Sequence, residues 1–197
     1  MELIFDEMID SYLTSSVGIS KDFLSVLLCG HLTQNLHQLY NGGQLLFAGT
    51  GNNKVVNFDT LLRSDKIYWL DRLHNDPHEN AFFDLVDLFV AYLNRTCYAG
   101  ITGYEFHYAL YETGCFYGRH LDSFKHNGNR AFSMIMYLNK DWVKADGGEL
   151  RIYQPGNLQD IEPQNGKSVF FKSTELEHEV LKTNKPRMSI TGWLKTD

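Results

Sequence analysis

The sequence predicts an α+β domain, with a helical first half followed by a β-rich body of sandwich or jelly-roll type. Three observations predict it. Two long segments before residue 100 carry apolar residues at helical spacing. From Tyr104 onward, short β-rich runs follow one another, separated by turn residues. The 197 residues are 43% hydrophobic and 14% aromatic, which suffices for one full core. No repeat, low-complexity tract or Pro/Ser-rich linker divides the chain. A single domain spanning residues 1–197 is therefore expected, helical to about residue 100 and β from about 101.

Each element has its own justification. "LIFDEMIDSYL" is compatible with a short helix. In "ISKDFLSVLLCGHLTQNLHQLYNGG", Ser20 is the expected N-cap, and Ile19 and Leu24 stand where a hydrophobic staple would place them. Phe23, Leu27, Leu28, Leu32, Leu36 and Leu39 follow helical spacing, and Gly42 and Gly43 mark the stop. In "NDPHENAFFDLVDLFVAYLNR", Asp76 is the N-cap, Pro77 suits the first helical position and Glu79 follows three residues after the cap. The apolar load of that helix (Phe82, Leu85, Val86, Phe89, Val90, Leu93) is heavy enough to pack on a sheet. Gly49 to Asn53 is turn-rich, and "KIYWL" reads as a strand. "YEFHYALYE", "RAFSMIMYLN", "GELRIYQ", "KSVFFKS", "EHEVLK" and "RMSITGWLK" supply the strands of the body.

Charge and cysteine usage exclude some functions. The net charge of -6 is the wrong sign for a protein that grips phosphate backbones, so no nucleic-acid partner is expected. Cys29, Cys97 and Cys115 are odd in number and match no zinc or redox spacing; reduced thiols are expected. "MELIFDEMID" lacks the basic start of a signal peptide, and no apolar run approaches bilayer length. A cytoplasmic protein without a membrane partner follows as the expectation. The oligomeric state is open at this stage.

The chemistry centres on "FYGRHLDSFK". Two residues apart on a strand, His120 and Asp122 share a face, roughly 6–7 Å apart along the chain. Alone, such a pair is more often an ordinary polar pair on a solvated strand. His178 in "STELEHEVLK" offers a third ligand, and Arg187 follows nine residues later. "TNKP" between them reads as a turn, so the two strands are expected to form a hairpin that returns Arg187 near His178. Two histidines and a carboxylate make the facial triad of non-haem Fe(II) oxygenases. Arg187 can then clamp a distal carboxylate in a charge-assisted pair, and 2-oxoglutarate fits both ends. Alternation puts Arg187, Ser189, Thr191 and Trp193 on one face of their strand, and Met188, Ile190 and Leu194 on the other. Ser133, Ile135 and Tyr137 likewise share a face.

These motifs carry a family resemblance. "RSDKIYWL", "YGRHLD", "YLNKDW", "GGELRIY", "DIEPQNGKSVFF" and "HEVLKTNKPRMSITGW" resemble, in order and spacing, Fe(II)/2-oxoglutarate-dependent dioxygenases. Among these they resemble the prolyl 4-hydroxylases of the HIF-type (EGL-nine-like) branch, from about Arg63 to the C-terminus. The resemblance implies a double-stranded β-helix (jelly roll) with the N-terminal helices packed on its major sheet. It implies Fe(II) held by His120, Asp122 and His178, and the C5 carboxylate of 2-oxoglutarate bound by Arg187 with Tyr137 and Thr191. Tyr111 would sit near the chelating end and Leu150 would line the cosubstrate pocket. Tyr117, Arg130 and Trp193 map to the surroundings of a target proline, and Arg63, Asp65 and Trp69 to a segment preceding a substrate-covering loop. The implied activity is hydroxylation of a proline in a protein or peptide with O2, coupled to decarboxylation of 2-oxoglutarate to succinate and CO2, with ascorbate as supporting reductant.

The chain departs from that branch in places. The stretch from Tyr111 to His120 is one residue shorter and that from Asp122 to Tyr137 one longer. Ser64 and Gly192 replace a glycine and a bulkier residue, and the C-terminal helix of that branch does not follow the last strand. Alternatives are a hydroxylase of another residue or of a small amino acid, and a non-catalytic oxygen- or 2-oxoglutarate-sensing module. A nucleic-acid demethylase is disfavoured by the acidic balance. Elsewhere, His74 lies outside the helix that begins at Pro77, so it and His78 read as surface residues. His107 reads as structural, and His126 as a solvated residue of a "KHNGN" turn. "GTGNNK" lacks the lysine-hydroxyl pair of a phosphate loop. Asp141 and Trp142 read as turn packing.

Overall fold

In the computed structural model, residues 1–49, 62–123 and 129–196 are described. The expectations for residues 50–53, most of "GTGNNK" and His126 lie outside them. Helix α1 (Glu2–Ser15) buries Phe5, Met8 and Ile9, one face at helical spacing. Helix α2 (Val26–Asn41) starts later than the sequence suggests, because Ser25 is its N-cap and accepts from the Leu28 N–H. Ser20 belongs instead to strand β1 (Gly18–Ser20), and its hydroxyl accepts from the Asp22 N–H at 3.3 Å. Phe23 and Leu24 are buried ahead of the helix rather than within it. Edge pairing of β1 with β9 (Ser168–Lys172) overrides the local capping signal. Gly42 caps the end of α2, and Gly43 takes φ 68°, a backbone angle that suits glycine. Helix α3 (Pro77–Cys97) begins as expected, with Asp76 accepting from the His78 and Glu79 N–H groups. The Glu79 carboxylate turns to His74 Nδ1 at 2.9 Å, which explains why that histidine is occupied.

Eleven strands among the described residues build the body. Besides β1 and β9 these are β2 (Leu46–Phe47), β3 (Lys66–Trp69), β4 (Gly103–Tyr111), β5 (Tyr117–His120) and β6 (Arg130–Tyr137). After them come β7 (Leu150–Gln154), β8 (Asn157–Ile161), β10 (Glu177–Val180) and β11 (Arg187–Lys195). A seven-stranded sheet runs β1-β9-β6-β11-β4-β3-β2, and a four-stranded sheet β5-β10-β7-β8. Helical residues and the outer face of the large sheet share one core that includes Phe82, Phe89, Phe106, Met134, Met188, Ile190 and Leu194. A second apolar cluster, including Ile135, Tyr137, Leu150, Ile152, Val169 and Phe171, lies between the sheets. The expected jelly-roll body and helices on the major sheet are thus observed. The division at residue 100 is less clean: β1, β2 and β3 come from the first half and sit at the two ends of the large sheet. β1, β2 and β8 are short or polar and carry no clear alternation, so nothing local announces them.

One expected connection is wrong. Strands β10 and β11 do not form a hairpin. β10 pairs with β5 and β7 in the small sheet, whereas β11 pairs with β4 and β6 in the large one. The "TNKP" segment carries the chain from one sheet to the other, anchored by the Thr183 N–H donating to the Cys115 carbonyl at 3.0 Å. Arg187 therefore enters the site from the sheet opposite His178. A turn signal between two β-rich runs does not say which sheet each joins.

The glycine at position 192 has a packing reason. A Cβ there would lie 2.2 Å from both the Glu105 carbonyl oxygen and Phe106 Cδ1. The Phe106 ring fills the space that a larger residue would occupy. Gly192→Val is expected to destabilise the fold by about 1–3 kcal/mol, lowering the melting temperature by roughly 2–12 °C; thermal unfolding followed by circular dichroism measures this.

Candidate metal centre and cosubstrate pocket

The centre forms where β5 and β10 pair, because the antiparallel register sets His120 opposite His178. Asp122 follows just past the end of β5. His120 Nε2 lies 3.4 Å from Asp122 Oδ1, and His178 Nε2 lies 3.5 Å from Asp122 Oδ2. One ligand atom from each of the three residues falls within a common 4.8 Å. Each imidazole is held at its other nitrogen: His120 Nδ1 is 2.8 Å from the Gly118 carbonyl oxygen, and His178 Nδ1 is 3.1 Å from that of Leu176. Those bonds fix the tautomer that leaves Nε2 free to coordinate. Burial pushes the His178 pKa down, outweighing the opposite pull of Asp122. Burial alone raises the Asp122 pKa, but His178, His120 and the Ser133 hydroxyl hold it well below the usual carboxylate range. A neutral, buried imidazole beside an ionised carboxylate is the protonation state a divalent cation needs.

In the sequence, Ser133 stands out only by sharing a face with Tyr137. Its hydroxyl donates to Asp122 Oδ2 at 2.6 Å and lies 2.9 Å from Ser173 Oγ. It therefore orients the carboxylate. Ser133→Ala is expected to weaken Fe(II) binding by about 10- to 100-fold, as read by anaerobic metal titration.

A stack braces His120 from outside. The Tyr117 ring lies 3.6 Å from the His120 ring with planes 13° apart, and Arg63 Cζ lies 4.2 Å from the Tyr117 centroid. Arg63 is held by a bidentate pair, Nε–Oδ1 2.8 Å and Nη2–Oδ2 2.7 Å, to Asp65. Asp65 is 1% exposed. Asp65 thus braces Arg63, both its oxygens being engaged. Trp69, by contrast, is exposed.

Arg187 heads the large-sheet side. It is 1% exposed, and its Nε donates to the Gly148 carbonyl at 2.9 Å. The Tyr111 and Tyr137 ring centroids stand 5.0 and 5.1 Å from its Cζ. Among the described residues, Arg187 Nη2 and Tyr137 Oη are both buried without a hydrogen-bond partner. Gly148 permits the approach: a Cβ there would meet Thr183 Oγ1 at 3.0 Å and Arg187 Cδ at 3.1 Å. A buried guanidinium with no partner for Nη2, beside a phenol equally without one, is costly. A carboxylate of a bound acid satisfies both groups. Leu150 is fully buried in the inter-sheet cluster with Tyr137. Thr191 lies on the same face two rows along, its Oγ1 3.2 Å from Ser189 Oγ.

At the other end of that face, Trp193 is opposite Ser133 on β6 and Glu105 on β4. Arg130 Cζ lies 3.5 Å over the Trp193 ring and pairs with Glu105 Oε1 through Nη2 at 2.7 Å. His107 joins this group unannounced. It is buried, with its ring 4.9 Å from Trp69 and 5.5 Å from Trp193. Its place on the alternating face with Glu105, Ala109 and Tyr111 is the signal that could have found it.

Comparison with known proteins agrees with this geometry. Residues 106–195 match the model of the 2OG-Fe(II) oxygenase superfamily. The chain is 30% identical to a prolyl-4-hydroxylase of Pseudomonas putida, with 98% of this chain and 99% of that one covered and a TM-score of 0.88. The chain belongs to the 2OG-Fe(II) oxygenase superfamily. This oxygenase is also similar to a prolyl hydroxylase from Trichoplax adhaerens, solved in complex with a hypoxia inducible factor oxygen degradation domain peptide fragment. There the identity is 25%, coverage 98% of this chain and 90% of that one, and the TM-score 0.86. Prolyl 3-hydroxylase OGFOD1 of Xenopus laevis is 36% identical over 75 residues, which span 32% of this chain and only 15% of that protein.

The enzyme is accordingly an Fe(II)- and 2-oxoglutarate-dependent dioxygenase, and its residues fit both groups. The donor set of two imidazoles and one carboxylate suits Fe(II) and leaves positions open. The orphaned Arg187 Nη2 and Tyr137 Oη suit the far carboxylate of a dicarboxylic keto acid. When bound, iron and 2-oxoglutarate supply the oxidative chemistry, in which O2 is consumed and succinate and CO2 are formed.

Proposed function

We propose that this enzyme is a prolyl 4-hydroxylase acting on a proline within a protein or peptide substrate. What carries the reading is a likeness over 98% of the chain to two prolyl hydroxylases, one of them solved with a bound peptide fragment. In this reading His120, Asp122 and His178 hold the iron, with Ser133 fixing the carboxylate. Arg187 and Tyr137 bind the C5 carboxylate of 2-oxoglutarate, Thr191 lies along its path, Leu150 lines the pocket wall and Tyr111 reaches toward the chelating end. Tyr117, Arg130 and Trp193 surround the target ring, while Arg63 braces Tyr117. Trp69 stands at the surface, where a polypeptide would enter. Ascorbate serves as the supporting reductant in vitro. A reducing compartment such as the cytoplasm suits the three free thiols of Cys29, Cys97 and Cys115.

The test is turnover against a proline-containing proteome, followed by mass spectrometry for a gain of roughly 16 Da, one oxygen atom. Oxygen insertion on prolines, dependent on Fe(II) and 2-oxoglutarate, supports the reading. Succinate production accompanied only by modification of other residues, or of a free amino acid, overturns it.

A further inference from the structure

Two ring nitrogens near the metal centre lack an explanation in the fold. Among the described residues, His107 Nδ1 and Trp193 Nε1 are both buried without a hydrogen-bond partner. The residues are 3% and 7% exposed, and their rings lie side by side, 5.5 Å apart. They occupy the metal end of the interior face. Trp193 is cross-strand from Ser133, whose hydroxyl reaches Asp122, and His107 is cross-strand from Thr191 and from Trp69. Trp69, 46% exposed, links this pair to the surface.

The chemistry of the two groups is complementary. An indole N–H can only donate, so Trp193 requires an acceptor. Burial pushes the His107 pKa down to about 4, so its imidazole is neutral near pH 7, with one donor and one acceptor nitrogen. With the proton on Nε2, Nδ1 accepts. One donor beside one acceptor matches the backbone of a single extended residue, whose own N–H and C=O point to the same side.

We propose that His107 and Trp193 bind the backbone of the residue that follows the target proline, held extended, with Trp193 Nε1–H donating to its carbonyl and His107 Nδ1 accepting from its N–H. The proline's own backbone is excluded because its nitrogen carries no hydrogen. The inference rests on the prolyl hydroxylase reading and sharpens it. His107 becomes a specificity-determining residue that requires an N–H on the residue after the target. A substrate without that N–H leaves a buried acceptor unpaired, the situation in which polar sites discriminate most strongly.

The experiment uses the full chain, loaded with Fe(II) and 2-oxoglutarate, and a synthetic library of five-residue peptides with a central proline. In half of the library the residue after that proline is glycine or alanine; in the other half it is proline or N-methylglycine. Oxygen insertion at the central proline is quantified by mass spectrometry. The wild-type enzyme is expected to favour the first half by at least about tenfold. His107→Phe should reduce that preference to about twofold or less, and His107→Gln, which keeps an acceptor, should retain part of it. Equal hydroxylation of both halves by the wild type overturns the inference without requiring any variant to fold. So does an undiminished preference in folded His107→Phe. If the wild type hydroxylates neither half while modifying a free amino acid, the prolyl hydroxylase reading itself fails, and this inference with it.

Discussion

His178→Ala is expected to abolish iron-dependent turnover and to lower Fe(II) affinity by more than about a hundredfold. That exceeds the 10- to 100-fold cost of losing an outer partner such as Ser133. The reason is positional. His178 is the most deeply buried of the three ligands, and its Nδ1 is engaged by the Leu176 carbonyl oxygen. Its ring is wedged between His120 and Phe171, with centroids at 4.3 and 4.8 Å. No other described histidine or acidic residue belongs to the cluster, so nothing replaces the lost imidazole. Anaerobic Fe(II) and 2-oxoglutarate titration, read by the metal-to-ligand charge-transfer band, and succinate formation measure the two effects. A variant that keeps both the band and turnover would show that the metal sits elsewhere.

Arg187→Met should separate cosubstrate binding from metal binding. Truncating one partner of a buried charge-assisted pair costs about 2–4 kcal/mol, so 2-oxoglutarate affinity should fall roughly 30- to 1,000-fold. Fe(II) affinity should be largely spared, because Arg187 contacts the Gly148 carbonyl and two tyrosine rings rather than any of the three ligands. The ligand-free fold should lose little stability and can gain it. The guanidinium is buried with Nη2 unpartnered, and methionine fills similar space without a charge to desolvate. Differential scanning calorimetry distinguishes the states. A concentration of 2-oxoglutarate one hundred times the wild-type Kd stabilises the wild type by about 2.7 kcal/mol and should stabilise the variant by less than about 1 kcal/mol. Collapse of iron affinity in the variant would remove Arg187 from its assigned role.

The parts of the site that the sequence exposed are those governed by short-range rules. The alternation of β11 separates Arg187, Ser189, Thr191 and Trp193 from Met188, Ile190 and Leu194, and the latter three indeed join the helix-facing core. Asp76, Pro77 and the start of α3 were equally legible, because a cap is a contact between residues two or three apart. Ser20 misled for the complementary reason: its capping signal is local, but its pairing with Ser168 is remote. The expected hairpin failed in the same way. A turn between "EHEVLK" and "RMSITGWLK" fixes that the chain reverses, not that its two arms enter different sheets.

What the sequence by itself determined is the chemistry on offer: a His-x-Asp pair, a later histidine, an arginine on an alternating strand and the order of motifs around them. Ligand identity and strand periodicity are written residue by residue, so they survive without a fold. Only the tertiary structure decided how these groups meet. It set His178 opposite His120 across one sheet, brought Arg187 in from the other and turned Asp65 inward as a brace. It also placed the Ser133 hydroxyl on Asp122, and set the His107 ring beside that of Trp193 in the interior. Each of those outcomes depends on the register of strands distant in sequence and on which groups burial strips of water, and no local pattern encodes either.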